Sequence, residues 1–342
     1  MRRFALAFLF ALAAGCSPAK PELHVFNWAD YFAADTLKNF EKEFDCRVVP
    51  DYFESAETLR ARLDGGKSGF DVVFPSDEVM RTFIAKGLLE KLDPAKLPNL
   101  KNLSPKFRGL DFDPRNEYSV PYMWGTTGIA YNKGKVSPAP DSWAALWDPK
   151  HAGNVSILDD PREAFAAAIW AGGGSITPLT APAIEKARTK LSAAKLKAYD
   201  GQPKDRLIKG EVWIAQCYSG DAIQAANEVA KAKTGEIGYV IPKEGGTIWV
   251  DNICIPKGAP NRELAHKFID YLLRPDVSAA ISNEVSYANP NEAAQKFIQK
   301  DVLENRAANP TEDELKRCSL FKELDPAIKK TLDDAWAQVK GH

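Results

Sequence analysis

The sequence has little of what a metal site or a nucleic-acid interface needs. Its four histidines, His24, His151, His266 and His342, are scattered without the spacing of metal ligands. Positive charge is not in excess, since 45 Lys and Arg residues face 46 Asp and Glu residues. Nucleic-acid binding needs a clustered basic surface, which this balance does not indicate. We therefore expect no metal centre and no nucleic-acid partner.

The signatures of common enzyme classes are also missing. The chain has no Gly-x-Ser-x-Gly elbow, HExxH helix, phosphate-binding loop or dinucleotide fingerprint. The triplet Gly172-Gly173-Gly174 follows a predicted helix, so it indicates a C-terminal turn. Cys217 could act as a nucleophile only beside a histidine, and none is close in sequence. We therefore expect a binding protein without a cofactor rather than an enzyme.

Cysteine is sparse and has no paired motif. Beyond Cys16 the cysteines are Cys46, Cys217, Cys254 and Cys318, and none belongs to a CxxC pair. Four cysteines in an oxidising compartment allow three pairings, among which the sequence does not choose. Two of them fall in strand-like runs, where a free cysteine packs as a small hydrophobic side chain, so we expect no disulfide.

The N-terminus has the pattern of an export signal. Arg2 and Arg3 precede the apolar stretch Phe4–Ala14, which is shorter than the ~20 residues that span a bilayer. The stretch ends in Leu12-Ala13-Ala14-Gly15-Cys16, which resembles the lipobox of bacterial lipoproteins. This resemblance implies a signal peptide of residues 1–15 and a lipid anchor on Cys16. The alternative is an ordinary signal peptide cut after a small residue.

Beyond a short polar tether, residues 16–21, strands and helices alternate. Three strand-like runs, from Leu23–Asn27 to Asp71–Phe74, are each followed by a helical pattern. This order is typical of an open, mostly parallel α/β sheet, whose ligands bind beyond the carboxyl ends of the strands. Trp28 and Ser76 lie at such ends.

A second series of strands and helices begins near residue 127 and ends near residue 250. The 327 residues that follow the signal peptide also favour two domains over one. An inserted lobe makes the chain cross between lobes twice, and two crossings form a hinge beside a cleft. The predicted division is lobe 1 over residues 22–126 and 252–300, lobe 2 over residues 127–251, and C-terminal helices over residues 301–342 that pack across the lobes.

At three predicted strand ends, an aromatic residue precedes an aspartate by two or three positions. Such a strand end is common in itself, because Asp favours turns. An aromatic face, however, attracts a cation and packs on methylenes, while the carboxylate adds a charge-assisted hydrogen bond. A two-residue spacing also places both side chains on one face of an extended backbone. Three occurrences predict a receptor for an organic cation. The pairs are Trp28 with Asp30, Tyr218 with Asp221, and Trp249 with Asp251.

Seven motifs occur in order between Leu23 and the C-terminus. They are Phe26-Asn27-Trp28 with Asp30-Tyr31, Phe70-Asp71-Val72-Val73 with Pro75-Ser76, Val120-Pro121-Tyr122-Met123-Trp124-Gly125-Thr126, Asp159-Asp160-Pro161-Arg162-Glu163, Ile241-Pro242-Lys243-Glu244-Gly245-Gly246, Leu272-Leu273-Arg274-Pro275-Asp276-Val277 and Tyr287-Ala288-Asn289-Pro290-Asn291. With these motifs the chain resembles the bacterial periplasmic spermidine/putrescine-binding proteins of polyamine ABC transporters, which are extracellular solute-binding proteins. The resemblance implies a two-lobed α/β periplasmic-binding-protein fold, type II-like, that closes at a two-crossing hinge over a linear polyamine.

The resemblance also implies which residues contact the ligand. On the first wall of the cleft these are Trp28, Tyr31 and Ser76, on the opposite wall Asp160, Glu163, Tyr218 and Asp221, and near the hinge Trp249, Asp251 and Tyr287. The aromatic–aspartate pattern adds Asp30, and Glu78 adds a carboxylate if it faces the cleft. Asp160 with Glu163 also fits ordinary helix N-terminal chemistry, and Ser76 also fits a helix cap.

Several positions depart from the family pattern and leave the polyamine open. Ala29 replaces a hydroxyl residue, and Tyr218 stands where Trp is usual. Asp221 resembles the putrescine branch, whereas Trp249 and Asp160 resemble the spermidine branch.

The expected function is that of the substrate-binding component of an ABC importer. A monomer in the periplasm or on the cell surface, held to the membrane through Cys16, would close over a polyamine and deliver it to the membrane permease. The alternative is a receptor of the same fold for an amino acid, another organic cation or a ferric complex. Iron favours clustered tyrosines, of which Tyr218 and Tyr287 are only two, and an amino acid needs a cleft arginine, for which Arg162 is the candidate.

Overall fold

The structure is a computed structural model, and it describes residues 19–341. The predicted signal peptide and the lipidation site Cys16 lie outside the described residues. Within them, no helix combines the length and the apolar character that crossing a lipid bilayer requires.

Nine strands of the described chain join in a single sheet. They are β1 (Glu22–Trp28), β2 (Arg47–Phe53), β3 (Val72–Val73), β4 (Ser119–Asn132), β5 (Val155–Leu158), β6 (Ala198–Asp200), β7 (Ile214–Tyr218), β8 (Ile237–Val240) and β9 (Thr247–Cys254).

The sheet is mixed, with the strand order β2-β1-β3-β9-β4-β7-β5-β6 and with β8 beside β4. Its two ends are parallel, because β1 runs parallel to β2 and β3, and β5 runs parallel to β6 and β7. In the middle, β4 is antiparallel to β7, β8 and β9, and β3 is antiparallel to β9. The prediction of a mostly parallel sheet is therefore wrong for the centre. There β4 leaves the first half of the molecule and β9 returns to it, so the two strands run in opposite directions.

Helices follow most strands of the two parallel ends, and their start signals match the sequence. Ser55 caps the second helix by accepting a bond from the Thr58 amide at 3.2 Å, and Pro161 begins the fourth. The helices in the described residues are α1 (Thr36–Phe44), α2 (Ala56–Leu63), α3 (Asp77–Ala85), α4 (Pro161–Trp170), α5 (Ala181–Ser192), α6 (Pro203–Ile208), α7 (Ser219–Ala232), α8 (Arg262–Leu272), α9 (Pro275–Val285), α10 (Lys300–Glu304), α11 (Glu312–Leu315) and α12 (Pro326–Lys340).

The buried side chains gather on two sides of the long strand β4. One side packs around Phe40 and Phe268, and β4 contributes Met123 to it. The other side packs around Trp143, and β4 contributes Ile129 to it. Since β4 and β9 connect these two regions, the chain passes between them twice. The exact lobe boundaries remain a prediction.

The C-terminal segment touches both regions. Helix α12 packs against α4 and α5. Two residues that precede α12 in sequence accept hydrogen bonds from helices α3 and α4. Glu323 accepts a bond from Thr82 of α3 at 3.1 Å, and the Lys322 carbonyl accepts one from Arg162 of α4 at 2.9 Å. These contacts hold Phe321 beside the cavity described next.

Candidate functional site

A cavity opens where the parallel strands end. The segments after β1, β2, β3, β5, β6 and β7 all contribute to its walls. Its volume is about 160 Å³, whereas one water molecule needs only ~10–15 Å³. The cavity is therefore suited to a small organic molecule, and it lies where α/β sheets usually bind their ligands.

All twelve residues predicted from the sequence line this cavity. They are Trp28, Asp30, Tyr31, Ser76, Glu78, Asp160, Glu163, Tyr218, Asp221, Trp249, Asp251 and Tyr287. Their convergence is a structural finding, whereas their contact with a ligand stays a prediction.

Five carboxyl groups on the cavity wall, Asp77, Glu78, Asp160, Glu163 and Asp251, form what we call the acidic patch. Burial, reinforced by the charge of Asp160, raises the pKa of Glu163 to about 8. Burial likewise raises the pKa of Asp77 and of Asp251 to about 7. The pKa values of Glu78 and Asp160 are raised by burial too, and for Glu78 also by the charge of Asp160. The patch therefore holds protons near neutral pH and would ionise fully only beside a positive charge.

Three acids of the patch, Asp77, Glu163 and Asp251, are held by specific donors. Asp251 accepts the Tyr31 hydroxyl at 2.6 Å, and Asp77 accepts the Val250 amide at 2.9 Å. One oxygen of Glu163, Oε1, accepts hydroxyl bonds from Thr127 at 2.9 Å and Thr247 at 2.7 Å. Its other oxygen, Oε2, is buried and has no partner in residues 19–341. An unpaired buried carboxylate oxygen on the cavity wall fits a ligand that donates a hydrogen bond.

One guanidinium stands near the patch. Arg162 lies 4.0 Å from Glu78, and its guanidinium stacks over the Phe321 ring at 4.3 Å from the centroid. It also donates to the Lys322 carbonyl. Arg162 is therefore engaged with the C-terminal segment, and it does not line the cavity as the amino-acid alternative requires.

Aromatic rings form the rest of the wall. The Trp249 ring meets Tyr287 edge-on at 5.2 Å and Tyr218 at 5.9 Å, and Tyr31 meets Tyr287 at 5.5 Å. The indole Nε1 atoms of Trp28 and Trp249 are buried without a hydrogen-bond partner among the described residues. The Trp28 N–H still lies near enough to Asp251 to oppose the rise of that carboxyl's pKa. Apolar ring surface and free donors therefore surround the acidic patch.

Two glycines leave the room that these rings occupy. A Cβ atom on Gly125 would come within 2.5 Å of the Trp249 ring, and a Cβ on Gly220 within 2.4 Å of the Tyr287 ring. Contacts this short do not occur, so the rings pack directly on bare backbone.

At another part of the wall a lysine faces an aspartate. We call Asp30, Lys204, Asp221, Gln224 and Tyr287 the lysine end of the cavity. Lys204 Nζ lies 3.1 Å from Asp30 Oδ2 and 3.1 Å from Gln224 Oε1, and the Tyr287 hydroxyl donates to Asp221 at 3.1 Å. The pKa of Asp221 is raised by burial, and the charge of Lys204 opposes that rise.

The two same-face predictions have different outcomes. Trp249 and Asp251 both lie in β9 and both reach the cavity, as the alternation of a strand requires. Asp30 lies beyond the end of β1, in a turn with φ +54°, so the extended-backbone argument is wrong for Trp28 and Asp30. Asp30 is exposed at the rim and pairs with Lys204.

The structure also tests whether Ser76 and Asp160, which precede α3 and α4, act as helix caps. The Ser76 side chain makes no capping bond, so its hydroxyl is available to the cavity. Asp160 does cap α4, accepting the Glu163 amide at 3.0 Å, and it faces the cavity as well. Asp160 can therefore be both a helix cap and a ligand-binding residue.

Sequence reasoning missed Asp77, Lys204 and Phe321. Asp77 follows Ser76 in a predicted first helical turn, where an acid is ordinary, and Lys204 is one lysine among many. Phe321 comes from a segment distant in sequence. No local pattern distinguishes these three residues.

The chain is similar in sequence to a family of known proteins and to individual members of it. Residues 35–311 match the family model described as bacterial extracellular solute-binding protein. The putrescine-binding periplasmic protein of Escherichia coli (strain K12) is 38% identical over 97% of this chain and 95% of its own. The spermidine/putrescine-binding periplasmic protein of the same organism is 35% identical over 90% of this chain and 89% of its own.

A solved structure extends the likeness to three dimensions. The TpPotD lipoprotein of Treponema pallidum superposes with a TM-score of 0.83 at 28% identity, over 94% of this chain and all of that chain (100%). The predicted two-lobed α/β fold is thereby confirmed.

Proposed function

Because the chain belongs to the family of bacterial extracellular solute-binding proteins, we propose that it is the substrate-binding component of an ABC importer and binds a linear polyamine in its cavity. The resemblance given by the seven sequence motifs is confirmed by these matches. Members of such a family capture a solute rather than convert it, so we propose a receptor and not an enzyme.

The observation that carries the proposal is the acidic patch. Five carboxyl groups share one enclosed wall, and Glu163 leaves a buried oxygen without a partner in the described part of the chain. Enclosed carboxylates repel one another and lose hydration, so a cation from outside is the group that stabilises them best. An ammonium supplies both the positive charge and the hydrogen-bond donors.

An organic cation fits this wall better than a metal ion. Across residues 19–341, no three His, Cys, Asp or Glu side chains are grouped as metal ligands. Beside the acids stand Trp28, Trp249 and Tyr287, whose faces pack on methylenes and attract ammonium groups. A chain of methylenes with ammonium ends matches both kinds of surface.

We propose that the ligand closes the molecule at β4 and β9, the two strands that connect its halves. Asp251 and Trp249 lie on β9 itself, while Asp160 caps α4 and Glu163 lies in its first turn, in the other half. A ligand that contacts both groups binds the closed form more tightly and shifts the population toward it.

Placement outside the cytoplasm follows from the same proposal. Two relatives are described as periplasmic, and the Treponema pallidum protein is described as a lipoprotein. We propose that the protein is exported, anchored through a lipid on Cys16, and monomeric, and that it delivers its ligand to the importer's permease.

A thermal-shift panel of putrescine, cadaverine, spermidine, spermine and the basic amino acids tests the proposal. A ligand present at 100 times its Kd stabilises the folded state by about 2.7 kcal/mol. For a chain of this size that corresponds to a melting temperature higher by about 5 °C. We expect shifts of this order with at least one polyamine. Flat melting curves with every amine would contradict the proposal.

The lysine end supports a second candidate ligand. An amine that also bears a carboxylate would pair its ammonium with the acidic patch and its carboxylate with Lys204. 4-Aminobutyrate is putrescine with one terminal aminomethyl group replaced by a carboxylate, so it belongs in the same panel. A shift with 4-aminobutyrate and none with diamines would establish this candidate instead.

A further inference from the structure

Lys204 is not an ordinary solvated lysine. Its side chain is 13% exposed, whereas that of its partner Asp30 is 73% exposed. The ammonium also meets Gln224 Oε1 at 3.1 Å, and Gln224 is itself fixed by donating to the Val285 carbonyl at 2.8 Å. A long side chain loses much rotational freedom in such a position, so the contacts must offset that cost.

The Lys204 ammonium lies where an ammonium group of a ligand would be expected to bind. Lys204 lines the cavity, and its charge reaches the carboxylate of Asp221. Around it stand the carboxylate of Asp30 and the amide oxygen of Gln224, which are groups that bind an alkylammonium. The lysine side chain is itself an alkylammonium.

We propose that Lys204 occupies one ammonium position of the cavity with its own Nζ and thereby limits how many ligand charges the protein accepts. This specificity role rests on the proposed polyamine function. Ligand cations then gather at the acidic patch, where the described chain has no lysine. A ligand with an additional ammonium near the lysine end meets repulsion from Lys204 rather than attraction from Asp221.

Substitution of the charge tests this role. The Lys204→Met variant keeps a flexible apolar side chain of similar length and frees Asp30, Asp221 and Gln224 for a ligand. Lys204→Arg retains the charge. Lys209→Met is the matched control, because Lys209 lies just beyond the same helix, is exposed and does not line the cavity.

Calorimetric titration with butylamine, putrescine and spermidine measures the effect as a function of ligand charge. Like charges a few ångströms apart in a protein repel strongly enough that their removal changes affinity by roughly tenfold or more. In Lys204→Met we expect spermidine affinity to rise at least about tenfold relative to butylamine, with putrescine in between. Lys204→Arg and Lys209→Met should keep the wild-type ratios.

The outcomes separate this inference from the proposed function. Wild-type protein that binds polyamines, together with Lys204→Met that leaves the three affinities in their wild-type ratio, overturns the role of Lys204 alone. Equal weakening of all three ligands in Lys204→Met also overturns it, because the lysine then only stabilises the closed structure. Absence of polyamine binding by the folded wild-type protein overturns both.

Discussion

Ligand binding should release protons, and this is the sharpest consequence of the acidic patch. At pH 7 a carboxyl group with a pKa of about 8, such as Glu163, is mostly protonated, and one with a pKa of about 7, such as Asp251, is about half protonated. An ammonium bound beside them favours the ionised forms. Binding therefore lowers both pKa values and expels the protons.

The size of the effect follows from the same pKa values. If both groups ionise completely on binding at pH 7, roughly one proton or slightly more leaves per ligand bound. By linkage, the affinity then rises about tenfold for each pH unit near neutrality. At pH 9 both groups are already largely ionised without ligand, so the release should approach zero. The amines stay charged over this range, since alkylammonium groups lose their proton near pH ~10.

Titration calorimetry in buffers of different ionisation enthalpy, such as phosphate and Tris, counts these protons directly. The observed enthalpy at pH 7 should change linearly with the buffer ionisation enthalpy, with a negative slope of magnitude about one or slightly more, because the buffer takes up the released protons. In Glu163→Gln the magnitude of the slope should fall by more than half, whereas Glu292→Gln, an exposed carboxyl away from the cavity, should keep it. A slope of zero for the wild-type protein would refute the reasoning, as would an affinity that is constant from pH 6 to pH 8.

Three further predictions concern affinity, stability and location. Asp251→Asn should weaken putrescine and spermidine binding by roughly tenfold or more in calorimetry, because a buried charge partner is lost; Asp276→Asn, exposed and remote from the cavity, serves as control, and unchanged affinity in Asp251→Asn would contradict its role. The pKa of Glu163 is higher in the folded than in the unfolded chain, so its contribution to stability is present at acid pH and is lost as pH rises toward 8 and beyond. The ligand-free protein should therefore melt at a lower temperature at pH 9 than at pH 6, and Glu163→Gln should reduce that difference. An identical pH dependence of the melting temperature in the variant would contradict the contribution of Glu163. Cys16→Ser should move the exported protein from the membrane fraction to the soluble fraction on fractionation of cells, and a persistent membrane association would exclude the anchor.

Features that depend on interactions within one strand or helix were predictable from the sequence. The alternation of a strand places Trp249 and Asp251 on one face, and β9 has that geometry. Proline at the start of α4 and serine before α2 marked those helix ends correctly. In each case the interaction that decides the position is local, within about four residues.

Features that depend on distant parts of the chain were not predictable. Asp30 follows the same pattern as Asp251, yet the chain turns before it with φ +54° and directs it toward Lys204. The antiparallel centre of the sheet depends on where β9 returns, more than a hundred residues after β4 begins. Lys204 itself becomes part of the site only because the fold brings α6 close to Asp30, 174 positions away in sequence. Local propensity contains no information on such long-range contacts.

The bare backbone at Gly125 and Gly220 has a consequence for how this receptor can diverge. The rings of Trp249 and Tyr287 rest on main-chain atoms, so their positions depend on the absence of a side chain at two glycines as well as on each other. Charged residues that do not bond to these rings, such as Glu78, can then be exchanged without displacing them. New ligand preferences are accessible by single charge substitutions, whereas a side chain at either glycine would remove the aromatic surface that all alkyl-chain ligands share.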